Sequence, residues 1–183
     1  PKRSDVLSVF AGLRPLAAPR SEGKKTKEIS RSHKLIREKS GLITIIGGKW
    51  TTYRKMAQDT LDLAIRYMHI PTKDCITERY QIHGSRKNPD FSDPLYVYGT
   101  DADEIRNLVA SSPAMAEKLH PDYAYTVGEV TWLVRNEMPR TLEDVLARRL
   151  RILFLDARAA MAMAPKVAGI LATEWGKDET WTS

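Results

Sequence analysis

The sequence has one cysteine and no long apolar run, and each shortage excludes a class of protein. Cys75 is the only cysteine among 183 residues, so an internal disulfide framework and a cysteine-based zinc site are excluded, and a reducing compartment is favoured. No segment approaches the ~18 consecutive apolar residues that a membrane-spanning helix needs. The apolar content of 42% and the charged content of 28% are those of a globular protein rather than a disordered or fibrous one.

Several familiar catalytic patterns are missing as well. The chain has no Gly-x-Gly-x-x-Gly, no P-loop and no His-x-x-x-His, and its serines, histidines and acids form no defensible triad. No metal site is predicted. The first residues carry neither an initiator methionine nor an apolar signal core. Because a strand-like run also begins almost at once, we expect this chain to have been cut from within a longer polypeptide.

Positive charge is concentrated in one segment. The net charge is +6, and residues 20–39 hold eight basic and three acidic side chains, which leaves the rest of the chain nearly neutral. Such a segment could contact phosphate, anionic lipid or nucleic acid. The alternative is a solvated, lysine-rich loop.

The apolar pattern predicts a mainly α protein, in which a helical bundle follows an α/β remnant of two or three strands and a helix. Short apolar runs predict strands at residues 6–11 and 42–46, and an isolated strand at residues 76–83. Helical spacing from Tyr53 predicts a helix that is ended by Pro71 and capped by Thr51 or Thr52. Tyr53 stands at core spacing and is predicted to pack in the interior.

The second half of the chain reads as helix after helix. Short loops separate the predicted helices, which is typical of a compact bundle of ~100 residues. These helices span residues 101–111, 113–120, 126–137, 141–153 and 156–175. The predicted domains are residues 1–70, a piece of a ligand-binding region, and residues 71–183, the helical domain.

A glycine pair followed by lysine is the strongest candidate for a binding site. Gly47, Gly48 and Lys49 follow a strand and precede a helix, where backbone N–H groups and a positive helix terminus can meet an anion or a polar ring. Adjacent glycines permit positive φ angles and let a planar ligand lie against bare backbone. A reduced flavin would suit this site, because its negative edge would be stabilised by N–H groups and a lysine. The alternative is a tight turn with a solvated lysine.

Two arginines are further candidates. Arg14 lies between apolar neighbours after a predicted strand, and its planar guanidinium suits a phosphate, a carboxylate ligand or an Asp or Glu elsewhere in the chain. Arg31 has the same alternatives. His33, two residues later, is interpreted as a surface residue rather than a catalytic base.

Taken together, four runs resemble the FAD-dependent, membrane-associated glycerol-3-phosphate dehydrogenases. The runs stand in the family's order, and the resemblance covers essentially the whole chain. The runs are Ala11-Gly12-Leu13-Arg14-Pro15-Leu16, Ser30-Arg31-Ser32-His33, the eleven residues from Gly47 to Ala57 (GGKWTTYRKMA), and the nine from Thr141 to Arg149 (TLEDVLARR).

The resemblance implies oxidation of glycerol 3-phosphate to dihydroxyacetone phosphate, with hydride transfer to FAD and electrons passed on to a quinone. Arg14 and Arg31 would hold the substrate phosphate, and Lys49 would lie near the reactive ring as the catalytic residue. Gly47, Gly48, Lys49, Thr51 and Thr52 would line the cofactor. The sequence departs from the family's pattern at two places near Arg31. Ser32 stands where an acid is expected, and the preceding loop is lysine-rich.

The resemblance also implies a context for the enzyme. It implies a cytoplasmic oxidoreductase associated peripherally with the inner face of the membrane, with a homodimer as a further expectation and no nucleic-acid partner. The family's nucleotide-binding fingerprint and catalytic base would precede Pro1, so these residues alone should neither retain FAD nor turn over. The alternatives are a glycerol-3-phosphate oxidase of the same family and a non-enzymatic basic helical binding module.

Overall fold

The computed structural model describes residues 1–13, 32–178 and 181. The chain divides into two compact units, one made of Pro1–Ala11 and Ile82–Ser183 and the other of Gly12–Gln81. The domain boundary predicted near residue 70 stays a prediction.

The unit Gly12–Gln81 contains a β-hairpin. Strand β1 (Lys34–Arg37) pairs antiparallel with β2 (Ile43–Ile46), in a register that sets Leu35 opposite Ile45. The intervening turn is closed by the Glu38 N–H donating to the Leu42 carbonyl at 2.9 Å, and Gly41 within it has φ +92°. The β-branched run of β2 fits a pleated, half-buried surface. The predicted strand at residues 42–46 is therefore confirmed, whereas β1 was missed inside the basic segment.

Helix α1 (Tyr53–Met68) follows the hairpin after one turn of 3₁₀ helix, Trp50–Thr52. It ends at His69, whose left-handed backbone (φ +52°) stops the helix two residues before Pro71. The predicted helix is thus confirmed. Thr52 stands at its N-cap position but its hydroxyl makes no capping bond to α1. Instead it bonds the Lys49 backbone, accepting from the N–H at 3.3 Å and donating to the carbonyl at 2.9 Å.

The helical unit has one apolar core. Its helices are α2 (Ala102–Ala110), α3 (Pro113–Ala116), α4 (Val127–Asn136), a π-helix (Asp144–Arg149), α5 (Ile152–Leu155) and α6 (Ala157–Glu174). The core includes Ile105 of α2, Leu133 of α4, Ile152 of α5, and Met163 and Leu171 of α6, all buried. The predicted mainly α fold with a carboxyl-terminal helical domain is confirmed. No helix in the described part of the chain is both long enough and apolar enough to span a membrane.

Two predicted strands are absent from the described residues. At residues 6–11 the chain runs extended along the helical unit: the Leu7 carbonyl accepts from Ala157 N–H at 3.1 Å and the Ser8 hydroxyl donates to the Leu153 carbonyl at 2.8 Å. Within residues 76–83, the Arg79 N–H closes a turn on the Ile76 carbonyl at 3.1 Å, and no strand forms. A strand exists only where a second strand pairs with it, and neither run has such a partner among the described residues.

The predicted helix at residues 141–153 is interrupted. Thr141 caps it as expected, its hydroxyl accepting from Asp144 N–H at 3.1 Å. The Leu150 N–H then bonds back to the Val145 carbonyl at 2.9 Å, five residues earlier, and Arg151 adopts φ +60° before α5 starts. The Arg149 guanidinium donates to the Asp144 carbonyl at 3.0 Å and to the Glu137 carbonyl, which ties the π-helix to the end of α4.

A buried polar pair crosses the helical core. The Tyr98 hydroxyl donates to Glu129 of α4 at 2.6 Å, and Glu129 is only 4% exposed. Burial raises the pKa of the Glu129 carboxyl, although the Tyr98 hydrogen bond works in the opposite direction. Burial likewise raises the pKa of Tyr98. The pair is satisfied by hydrogen bonding, as buried polar groups generally are.

Candidate functional site

The turn between β2 and α1 depends on its two glycines. Gly47 has φ +77° and Gly48 φ +84°, values that residues with a Cβ adopt only at a cost. The turn therefore has the positive φ angles that the sequence predicted. It delivers the chain from the end of β2 to the start of α1, where helical N–H groups lack intrahelical partners.

Gly48 is also required by packing. A Cβ placed there would lie 2.6 Å from Sδ and 2.9 Å from Cε of Met56, and 3.2 Å from Cβ of His33. The turn is thus held against α1 on one side and the start of the hairpin on the other. Glycine at position 48 allows this close approach because it has no Cβ.

An open cleft of about 750 Å³ lies beside the turn. Such a volume lies within the range of small-molecule sites. Its lining is formed by Gly12, Leu13, Gly47, Gly48, Lys49, Trp50, Thr51, Tyr53 and Met56. Trp50 and Tyr53 stack with ring centroids 5.8 Å apart and are 87% and 58% exposed. The interior position predicted for Tyr53 is therefore wrong, because the first turn of α1 faces the cleft.

A smaller polar crevice of about 290 Å³ adjoins the same turn. It is lined by Ser32, His33, Lys49, Thr52 and Lys55. Lys49 lines both the cleft and the crevice, so a positively charged residue borders each of them.

At the crevice, three charged or titratable side chains are joined, and two of them, His33 and Lys55, line it. Asp59 of α1 receives Lys55 Nζ at 2.9 Å on one carboxylate oxygen and His33 Nε2 at 3.0 Å on the other. The Lys55 hydrogen bond, followed by that of His33, lowers the pKa of Asp59 below its usual range, despite partial desolvation. The His33 side chain is 19% exposed and therefore half-buried, and its interpretation as a surface residue rather than a catalytic base stays a prediction. Only the four-residue spacing of Lys55 and Asp59 on a helix hinted at this cluster in the sequence.

The predicted site residues divide into three groups. Gly47, Gly48, Lys49 and Thr51 line the cleft together, and Thr52 lines the crevice that shares Lys49. Arg14 and Arg31 lie outside the described residues. The roles assigned to all of them stay predictions. In the described part of the chain, no group of three or more His, Cys, Asp or Glu side chains is arranged to hold a metal ion.

Comparison with known families assigns the class of the chain. Residues 42–182 match the family described as the C-terminal domain of alpha-glycerophosphate oxidase, and the chain belongs to this family. The match begins one residue before β2 and includes the turn, α1 and the whole series of helices. The resemblance stated from the four sequence runs is thereby confirmed.

Individual relatives carry more specific names. The chain is 34% identical to the mitochondrial glycerol-3-phosphate dehydrogenase of Arabidopsis thaliana, over 96% of its own length and 33% of that protein. It is 35% identical to a probable mitochondrial glycerol-3-phosphate dehydrogenase of Caenorhabditis elegans, over 100% of its own length and 27% of that protein. With the human mitochondrial enzyme the identity is 31%, over 97% and 27% of the two lengths. The chain therefore spans a third or less of these relatives.

Proposed function

We propose that this chain supplies the carboxyl-terminal part of an FAD-dependent glycerol-3-phosphate dehydrogenase. The enzyme would oxidise sn-glycerol 3-phosphate to dihydroxyacetone phosphate and pass the electrons to a quinone. The observation that carries the proposal is the turn at residues 47–49: positive φ angles and a lysine at the edge of an open cleft, in a chain whose named relatives are glycerol-3-phosphate dehydrogenases.

The cleft offers groups that fit a flavin. Its Gly47–Gly48 backbone is free of side chains, Lys49 adds a positive charge, Thr51 adds a hydroxyl, and the exposed rings of Trp50 and Tyr53 offer a flat apolar surface. The Thr52 hydroxyl bonds the Lys49 backbone, so its support for the cofactor would come through the shape of the turn. When bound, FAD would supply the two-electron acceptor of the reaction.

The substrate would be held by cationic side chains of this chain. Arg14 and Arg31 would bind its phosphate through charge-assisted, two-pronged hydrogen bonds. Lys49 would stabilise negative charge that develops during hydride transfer. A preorganised cation is most effective where the site excludes water. The base that removes the hydroxyl proton is not assigned to a residue of this chain.

The first test concerns Lys49 in the full-length enzyme. We expect Lys49→Ala to lower kcat by about 100-fold, as removal of one charge-stabilising donor commonly does. Lys73→Ala is the matched control, because Lys73 is an exposed lysine of the same unit that lines neither the cleft nor the crevice. Reduction of a quinone analogue by glycerol 3-phosphate gives the rates. Equal rates for the two variants would remove Lys49 from the mechanism.

The second test concerns the phosphate. Arg14→Ala should raise KM for glycerol 3-phosphate by about 10- to 100-fold, the usual effect of losing a charge-assisted hydrogen bond. Arg14→Lys should recover part of this loss, since it keeps the charge but loses the fork geometry. Unchanged KM and kcat in Arg14→Ala would refute phosphate binding by this residue.

A glycerol-3-phosphate oxidase is the second candidate, favoured by the description of the matched family as alpha-glycerophosphate oxidase. Stopped-flow mixing of the substrate-reduced enzyme with oxygen or with a quinone analogue separates the two. If oxygen reoxidises the reduced enzyme faster than the quinone analogue does, the enzyme is an oxidase rather than a dehydrogenase.

We further propose that the enzyme is a homodimer bound peripherally to the inner face of the membrane, on its cytoplasmic side. A lipid-soluble quinone requires the enzyme to approach a membrane surface. Fractionation after a high-salt wash tests the membrane contact, and analytical ultracentrifugation tests the dimer. Recovery of all activity without membranes at low salt would contradict the first expectation.

A further inference from the structure

The His33–Asp59 pair lies close to the Gly47–Lys49 turn, because Cβ of His33 is 3.2 Å from the site of a Cβ on Gly48. His33 immediately precedes β1, and Asp59 lies about two turns into α1. Nε2 of His33 is 3.0 Å from Oδ2 of Asp59. This hydrogen bond joins two segments that are 26 residues apart in the sequence. The cluster therefore ties α1, which follows the turn, to the start of the hairpin whose second strand precedes the turn.

The charge state of Asp59 fixes the direction of this hydrogen bond. Lys55 at 2.9 Å favours the ionised carboxylate, which can only accept hydrogen bonds. Nε2 of His33 must then carry the hydrogen and donate it. Since His33 is 19% and Asp59 30% exposed, solvent screens this bond less than it would screen a pair on the open surface.

The location of His33 bears directly on Gly48. The site of a Cβ on Gly48 lies only 3.2 Å from Cβ of His33, so a shift of His33 changes the space available to the turn. His33 also lines the crevice together with Lys49. A contact that fixes His33 therefore bears on the backbone of Gly48 and on the surroundings of the Lys49 side chain.

We propose that His33 and Asp59 are positioning residues, which hold the 47–49 turn in the geometry that presents Lys49 to the bound ligands. The inference rests on the proposed function of Lys49. Neither side chain is placed among the lining residues of the larger cleft, so each would act through the turn rather than by touching the flavin. Small displacements of a catalytic group can lower the rate by up to about 100-fold.

The test uses Asp59→Asn, His33→Ala and the double variant in the full-length enzyme. Asp59→Asn keeps the size of the side chain and removes its charge. His33→Ala removes the ring but keeps the Cβ that lies near Gly48. Asp62→Asn is the matched control, because Asp62 is an exposed aspartate of the same helix.

We expect each single variant to lower kcat by about ten-fold, with less than about a three-fold change in KM, consistent with loss of one charge-assisted hydrogen bond. The double variant should resemble the single variants, because groups that act as one pair are non-additive. Asp62→Asn should remain within about two-fold of the unaltered enzyme, since isolated exposed side chains have small effects.

A second measurement does not depend on turnover. Hydrogen–deuterium exchange of the substrate-free protein should be about ten-fold faster in Asp59→Asn at a peptide covering residues 47–52, with β2 unchanged, since a localised opening raises exchange only in the segment that opens. Asp62→Asn should leave both segments unchanged.

Three results would overturn the inference: additive effects in the double variant, kcat and exchange in Asp59→Asn equal to those of Asp62→Asn, or faster exchange over β2 as well as the turn. An unaltered protein that neither binds FAD nor oxidises glycerol 3-phosphate would instead refute the proposed function. The exchange measurement would still decide whether the pair positions the turn.

Discussion

Replacing Gly48 by alanine tests the packing of the turn most directly. The new Cβ would require φ +84° from a residue that prefers negative φ, at a cost of about 1 kcal/mol. It would also stand 2.6 Å from Met56 Sδ and 2.9 Å from Cε, so the end of the Met56 side chain must move. Displacing that flexible end and easing the contact with His33 costs about 1–2 kcal/mol more. The total is about 2–3 kcal/mol.

Gly41→Ala separates the two contributions. Gly41 has a similar φ of +92°, but no atom lies within 4 Å of its would-be Cβ, so only the backbone cost of about 1 kcal/mol applies. Adding Met56→Ala to Gly48→Ala should recover part of the larger loss, because the displaced sulfur and methyl group are gone. This recovery should exceed what additivity of the two single changes would give.

Amide hydrogen exchange of peptides from β2 and α1 provides the assay. Since about 1.4 kcal/mol corresponds to a ten-fold change in an equilibrium constant, Gly48→Ala should accelerate exchange on the order of 100-fold. Gly41→Ala should accelerate exchange in its own hairpin less than about ten-fold. If Gly48→Ala is no more disruptive than Gly41→Ala, the argument from close packing against Met56 and His33 is refuted.

The helical unit provides three further predictions. Glu129→Gln should raise the free energy of unfolding, relative to the unaltered protein, more at pH 7 than at pH 4. Because the pKa of Glu129 is raised in the folded state, the unaltered protein loses stability as the pH rises above 4.5, whereas the amide does not titrate. Urea unfolding at both pH values measures this, and a pH-independent difference would contradict it. Gly99→Ala should cost more than about 4 kcal/mol and yield little folded protein, because its Cβ would lie 1.6 Å from the backbone oxygen of Gly84, which cannot move aside. Thr126→Ala should cost about 1 kcal/mol in the same urea assay by removing the cap to Glu129 N–H at 3.2 Å, and no loss of stability would show that the cap is dispensable.

The elements with strong local signals were predictable from the sequence. The helical spacing and terminating proline of α1, the β-branched run of β2 and the cap at Thr141 each act over a few neighbouring residues. Elements that depend on distant partners were not predictable. Strand β1 forms because β2 pairs with it, and residues 6–11 stay out of a sheet because they bond to Leu153 and Ala157 instead.

The site shows the same division. The glycine pair, the lysine and their place between strand and helix follow from local sequence, and these residues do gather around one cleft. The His33–Asp59 contact joins positions 26 residues apart, and nothing in the local pattern of either residue identifies the other. Tyr53 was misjudged because spacing gives the face of a helix but not which face is covered.

The π-helix at Asp144–Arg149 has a consequence for changes in chain length. A turn closed by a bond over five residues contains one residue more than an α-helical turn, so it is a natural place for the chain to lose a residue. Arg149 of this turn donates to the Glu137 carbonyl, so a tolerated deletion would have to spare that contact. Losing one of its neighbours would leave a regular α-helical turn and keep α5 and α6 in their present orientation, because the wider turn is what accommodates the extra residue. Val145, Leu146 and Ala147 of this turn are buried, so the turn contributes to packing of the helical unit.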